Sequence, residues 1–179
     1  MILKTEEFNY HLPEERIAQT PIEPRDHSRL LVWNRYEEKL LHRKFFEIEE
    51  FLNPGDLLVI NQTRVIPARL FARKPSGGKV EILLLKKREN DLWECLVGGK
   101  RVNAGLELST EVDIKIKVIK NLEGSERLIQ FSGPVDPYLP DIGQMPLPPY
   151  IHTPLQDQNR YQTVFAKETG SAAAPTAGL

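Results

Sequence analysis

Three polar clusters in this sequence hold residue types that can do chemistry. The first is Pro24-Arg25-Asp26-His27-Ser28-Arg29, directly ahead of an apolar run. Arg25 and Arg29 offer planar forks of donors suited to a carboxylate or a phosphate. Asp26 can act as a base or hold an arginine, although an Asx-turn with Arg–Asp pairing accounts for the same residues. The second is Asn61-Gln62-Thr63-Arg64, which follows Leu57-Leu58-Val59-Ile60. Polar residues at the carboxyl end of a buried strand are where open α/β sheets build sites; a domain-linking turn is the other reading. The third is Gly170 to Leu179, whose Gly, Ser and Ala residues let a ligand approach backbone amides closely. Composition alone also fits a flexible tail.

Familiar chemical motifs are missing. The pairs Gly77-Gly78 and Gly98-Gly99 form neither a GxGxxG nor a P-loop. There is no GxSxG and no HExxH. His11, His27, His42 and His152 are scattered, and Cys95 is the single cysteine. With no CxxC and no Cys/His cluster, no metal site is expected.

The elements that must position these clusters fall into two textures. Leu12 to Ala18 reads as a short helix with Pro13 and two acids in its first turn. Arg29 to Trp33 reads as a strand that Leu40 to Arg43 rejoins as a hairpin. Phe45 to Leu52 has helical spacing and stops at Asn53-Pro54-Gly55-Asp56. Leu57 to Ile60 reads as a fully buried strand. The middle is rich in β signals. Lys79–Lys87, Leu92–Val97 and Arg127–Phe131 read as strands, and Val112, Ile114, Ile116 and Val118 alternate with polar residues. Short strands without intervening helices predict a small antiparallel barrel or sandwich at about residues 65–140. Seven prolines between Ser132 and Pro154 make a stiff crossing, after which Arg160 to Ala166 reads as a returning strand. The small-residue ending and the few elements outside the barrel predict the front part of a longer protein.

The 179 residues carry 24 Lys+Arg against 25 Asp+Glu, and 40% are apolar, as in a globular protein. One cysteine excludes a disulfide scaffold. No apolar run approaches the roughly 18 residues of a membrane span, and residues 1–10 lack a signal-peptide core. The cytoplasm is therefore the expected compartment. Near-neutrality hides an asymmetry: residues 64–120 hold 13 basic and 7 acidic side chains, whereas both flanks are acidic. A basic middle module can attract a polyanion, and solvated strand faces give the same count.

Taken in order, several segments resemble one family. They are Pro24 to Val32, Pro54 to Leu70, Gly78 to Leu85, Met145 to Ile151, Arg160 to Val164 and Gly170 to Leu179. The family is the S-adenosylmethionine:tRNA ribosyltransferase-isomerase of queuosine biosynthesis. The resemblance implies transfer and isomerisation of the ribosyl part of S-adenosylmethionine onto 7-aminomethyl-7-deazaguanine in tRNA, giving epoxyqueuosine with release of adenine and methionine. It implies an α/β domain, residues 1–64 plus 141–179 and continuing beyond 179, interrupted by an inserted antiparallel β-barrel domain, residues 65–140. It implies S-adenosylmethionine as substrate with no cofactor, and tRNA as partner; no membrane and a monomer are expected besides.

Acid–base chemistry at a sulfonium-activated C5′ and at the leaving adenine needs titratable groups. Asp26 is the candidate for that role or for an orienting one. Many family members carry Asp where this chain has Gln62, and an amide cannot titrate, so Gln62 is not expected to be the base. Arg25, Arg64 and Arg160 are candidates to hold the methionine carboxylate or a tRNA phosphate. Asn61, Thr63, Tyr161, Gln162 and Thr176 are candidate polar contacts, and Ser28, Arg29, Thr163 and Pro175 complete the set. A non-catalytic RNA-binding barrel is the alternative function. A methyltransferase fits less well, because no Gly-rich turn follows the first expected buried strand.

Overall fold

The computed structural model describes residues 3–179. Met1 and Ile2, at the head of the expected first domain and signal-peptide window, lie outside the described residues. The chain divides into two compact units, one holding the chain up to Val59 with Pro148–Leu155, the other Ile60–Leu147 with Gln156–Leu179.

The first unit is built on a hairpin, as expected. Strands β1 (Arg29–Asn34) and β2 (Lys39–Lys44) pair antiparallel from Arg29↔Lys44 to Asn34↔Lys39. Asn34 closes the turn: its Oδ1 accepts the backbone N–H groups of Tyr36 (3.0 Å) and Glu37 (3.2 Å). A seven-residue 3₁₀ helix, Phe45–Phe51, follows where helical spacing was read. The helix expected over 12–18 shrinks to a 3₁₀ turn, Glu14–Arg16. Its apolar residues find no core, and Leu12 stays exposed; a helix this short draws its stability from packing it does not have. Gln19 ties Pro148–Leu155 into the unit, donating from Nε2 to the Tyr150 carbonyl (3.0 Å) and accepting from the His152 N–H at Oε1 (2.7 Å). None of this unit's described residues is buried.

The strand expected at Leu57–Ile60 is not formed. These residues are irregular and exposed, at 88, 64, 82 and 41% respectively. No ladder partner reaches them among the described residues, and an unpaired apolar run gains nothing by being extended.

The second unit holds the other eight strands: β3 (Thr63–Val65), β4 (Arg69–Arg73), β5 (Lys79–Lys87), β6 (Leu92–Gly98), β7 (Glu107–Ser109), β8 (Lys115–Asn121), β9 (Glu126–Phe131) and β10 (Glu168–Ser171). Six of them close an antiparallel barrel in the order β4-β5-β6-β9-β8-β7, with β7 returning to β4. Period-two burial fills it: Leu70 and Ala72, Val80, Ile82 and Leu84, Trp93, Cys95 and Val97, Ile116 and Val118, Ile129 and Phe131 all point inward. Each fully buried Leu, Ile or Phe contributes about 1.5–3 kcal/mol. Closure leaves the barrel without free edges. Bulges between Leu84 and Lys86 in β5 and between Val118 and Lys120 in β8 help bend the sheet round. Val135 and Leu139, beyond the last barrel strand, are buried and join the same core. The remaining strands, β3 and β10, form a two-stranded parallel pair. The strand expected over Arg160–Ala166 is instead a 3₁₀ turn, Gln158–Tyr161, followed by an irregular stretch; the returning strand is β10.

Candidate functional site

The parallel pair is where most of the candidate residues of the second unit gather. Asn61 sits just before β3, and its Oδ1 accepts from both the backbone N–H (2.8 Å) and the hydroxyl (2.6 Å) of Thr63. That Asx-turn aims the chain into the ladder, where Thr63 pairs with Glu168 and Arg64 with Thr169. The Gln62 carbonyl accepts the N–H groups of Lys167 (2.8 Å) and Glu168 (2.9 Å), so position 62 anchors β10 through its backbone. Gly170, at φ +139°, absorbs a register shift between Thr169 and Ser171; that conformation is open to glycine and strained for other residues.

Of the four consecutive candidates Arg160 to Thr163, Gln162 and Thr163 pack onto this pair. Gln162 is 4% exposed and clamps Val65: its Oε1 accepts the Val65 N–H (2.9 Å) and its Nε2 donates to the Val65 carbonyl (2.8 Å). Thr163, also buried, donates to the Asn61 carbonyl (3.3 Å). The Tyr161 hydroxyl faces the Pro146 carbonyl at 3.5 Å, the outer limit for a hydrogen bond. Arg64 donates from Nη2 to Asn159 Oδ1 (3.1 Å). Asp157 in turn caps the 3₁₀ turn, accepting from the Asn159 N–H (2.9 Å).

The small-residue segment folds back against the same place, the Ser171 carbonyl accepting from the Ile66 N–H (2.9 Å). The Ser171 hydroxyl donates to the Ala173 carbonyl (2.8 Å) and accepts from the Ala173 N–H (3.2 Å). Pro175 precedes a 3₁₀ turn, Thr176–Gly178. Gly178 lies over the Thr163 side chain so closely that a Cβ there would come within 3.2 Å of Thr163 Cγ2. These contacts join Asn61, Thr63, Arg64, Gln162 and Thr163; Arg160 and Tyr161 lie in the same 3₁₀ turn as Asn159, and Pro175 and Thr176 open the turn that brings Gly178 to Thr163. Sequence reading missed Asn159 and Asp157. The spacing Asp-x-Asn, an N-cap two residues ahead of the N–H it receives, is the signal that could have found them.

Arg25, Asp26, Ser28 and Arg29 lie in the first unit. Arg25 to His27 form a 3₁₀ turn after Pro24. Asp26 and Arg29 are exposed, whereas Arg25 and Ser28 are half-buried. The Ser28 carbonyl accepts from the Phe45 N–H (2.9 Å), and the His27 ring stands 5.2 Å from Phe46. Thus the turn is braced against the head of the 3₁₀ helix while its carboxylate faces solvent.

Cys95 belongs to the barrel interior, where burial pushes its thiol pKa well above the ordinary value. Among the described residues no group of three His, Cys, Asp or Glu is arranged to hold a metal ion, and no helix is long and apolar enough to cross a membrane.

The queuosine biosynthesis protein family matches this chain over residues 5–179. The chain belongs to that family. Within it, an S-adenosylmethionine:tRNA ribosyltransferase-isomerase from Desulfitobacterium hafniense is 50% identical over 182 residues, covering 99% of this chain and 53% of the relative. One of the same name from Thermotoga petrophila is 49% identical over 180 residues, with the same two coverages. A crystal structure of the S-adenosylmethionine tRNA ribosyltransferase of Thermotoga maritima is 48% identical, covering 70% of this chain and 44% of that one, at a TM-score of 0.34. The chain spans about half the length of the queuosine biosynthesis proteins it matches.

Proposed function

We propose that this protein serves in an S-adenosylmethionine:tRNA ribosyltransferase-isomerase of queuosine biosynthesis. The observation that carries the reading is the family match along residues 5–179, with half of the aligned residues identical to a relative of that name. In this reaction the ribosyl group of S-adenosylmethionine passes to the aminomethyl group of 7-aminomethyl-7-deazaguanine in tRNA and is rearranged to an epoxycyclopentanediol. Adenine and methionine leave. S-adenosylmethionine is consumed as substrate, and no resident cofactor is needed. Residues 1–64 and 141–179 belong to an α/β domain and 65–140 to a barrel inserted in it. The protein works as a cytoplasmic monomer.

The site residues suit these demands. A sulfonium acidifies the neighbouring C5′ protons, so a base lowers the barrier to their removal. Asp26, exposed and ahead of β1, is the candidate for that step or for orienting its partner. Arg64, directed by Asn159, and Arg160 offer cationic donors for a carboxylate or phosphate. Arg25 and Arg29 offer the same from the first unit. Tyr161, Thr163 and Thr176 supply polar groups near the segment Ser171–Gly178, and Asn61, Thr63, Gln162 and Pro175 complete the candidate contacts.

The test incubates the protein with S-adenosylmethionine and tRNA bearing the aminomethyl precursor. Free adenine and a matching mass gain on the tRNA are expected. Alanine at Arg25 and at Asp26 should slow turnover, and unchanged turnover in both would remove them from the mechanism. Salt-dependent tRNA affinity with no adenine release would mark a non-catalytic RNA-binding barrel.

A further inference from the structure

The barrel carries an unneutralised cationic row that its ladder register defines. Lys79 of β5 pairs with Arg73 of β4, Arg73 with Ser109 of β7, and Ser109 with Lys115 of β8. Directly opposed residues share a face, and all four alternate with buried neighbours, so all four point outward. Three strand spacings make the row roughly 14 Å wide.

Two of the acids flanking this row are engaged, whereas Glu111 and Asp113 have no ion pair among the described residues. Glu81, opposite Phe71, meets Arg69 at 3.1 Å, and Glu107, two positions before Ser109, meets Lys117 at 3.8 Å. Arg73, Lys79 and Lys115 have no ion pair among the described residues. Beside the row lies a cleft of about 350 Å³ lined by Phe71, Arg73, Lys79, Ser109, Thr110 and Glu111. Phe71 is 42% exposed, an aromatic face turned outward between cations.

We propose that this row and cleft dock a single-stranded segment of RNA, with phosphates on Arg73, Lys79 and Lys115 and an unstacked base on Phe71. Cations spaced across a sheet match a polyanionic backbone, and an open aromatic face stacks a splayed base. Glu111 opposes the phosphates and limits the affinity. The inference rests on the proposed tRNA reaction and names the surface that receives the RNA.

The experiment measures binding of a fluorescent tRNA transcript to the full chain across a salt series. The variants are Arg73→Gln/Lys79→Gln/Lys115→Gln together, Phe71→Ala, and Glu111→Gln. For single strands each phosphate contact contributes about 0.7 to the slope of log affinity against log salt. The triple variant should therefore lose about 2 from that slope and bind about a hundredfold more weakly at 0.1 M salt. Phe71→Ala should weaken binding about fivefold or more with the slope unchanged, and Glu111→Gln should tighten it. Circular dichroism establishes that each variant folds, and the exposed positions of the triple set keep the comparison available. Wild-type binding with the triple variant and Phe71→Ala unaltered would overturn the docking surface and leave the proposed reaction standing. Absence of any wild-type binding would overturn both.

Discussion

Gln162 shows how a residue can look like a ligand contact and yet carry architecture. Its amide satisfies the Val65 N–H and carbonyl together, in the position a neighbouring strand would occupy. Gln19 does the same for Tyr150 and His152. Gln162→Ala would leave two buried backbone groups unpaired, so the fold should lose about 2–4 kcal/mol, read as a shifted urea midpoint. An unmoved midpoint would assign Gln162 to ligand contact instead. Cys95 permits a second prediction. Because burial raises its thiol pKa in the folded state, the native chain keeps its proton at pH values where the unfolded chain loses it. Stability is thus full below the ordinary thiol value of 9.0 and declines above it, by up to about 1.4 kcal/mol per pH unit. Cys95→Ala should flatten that decline in denaturation curves at pH 8 and pH 10. The sequence exposes polar clusters well, but which of their atoms face a ligand and which face the backbone depends on contacts such as Gln162 to Val65, set 97 positions apart.

Among elements, β8 was legible because Val112, Ile114, Ile116 and Val118 alternate with polar residues, and β5, β6 and β9 because short apolar runs such as Ile82 to Leu85 lie between turn residues. Strands β3, β7 and β10 are three or four residues long and carry no period. Strand β4 was hidden between Pro67 and Pro75. The run Leu57–Ile60 misled in the opposite direction, since four apolar residues say nothing about a partner. The exit from the barrel offers a sharper test. Gln144 bridges Arg69 through two backbone bonds of 3.1 and 2.8 Å, and Gly143 fits beneath Pro67. A Cβ at Gly143 would overlap the Pro67 carbonyl and lie 2.6 Å from that of Leu139. Gly143→Ala should therefore cost about 2 kcal/mol or more, whereas Gly133→Ala, with open space around its Cβ, should cost little. Equal thermal midpoints for the two variants would contradict the packing described for this exit.

Across the whole molecule the apolar burden is unequal. The barrel unit contains the buried core, whereas the other unit exposes Leu31, Trp33, Leu40, Leu57, Leu58 and Val59. Leu58→Ser should accordingly change the stability of this chain by no more than about 0.5 kcal/mol, as measured by thermal unfolding; a larger loss would mean that the segment packs in solution. Charge is unequal as well. The basic excess read over residues 64–120 resolves into cations that are paired, such as Arg88 with Glu94 at 2.5 Å, and cations that are not. Counting could not separate the two, because pairing depends on barrel register.

The parallel pairing of β3 and β10 has a mechanical consequence. Asn61 and Thr163 meet although 102 positions separate them, so the barrel hangs as a closed loop from this pair. Tension applied upstream of β3 and downstream of β10 would pull opposite ends of two parallel strands. Such a load shears the ladder bonds together instead of peeling them one after another. An unfolding motor gripping either flank would have to rupture this small lock before any force reached the barrel.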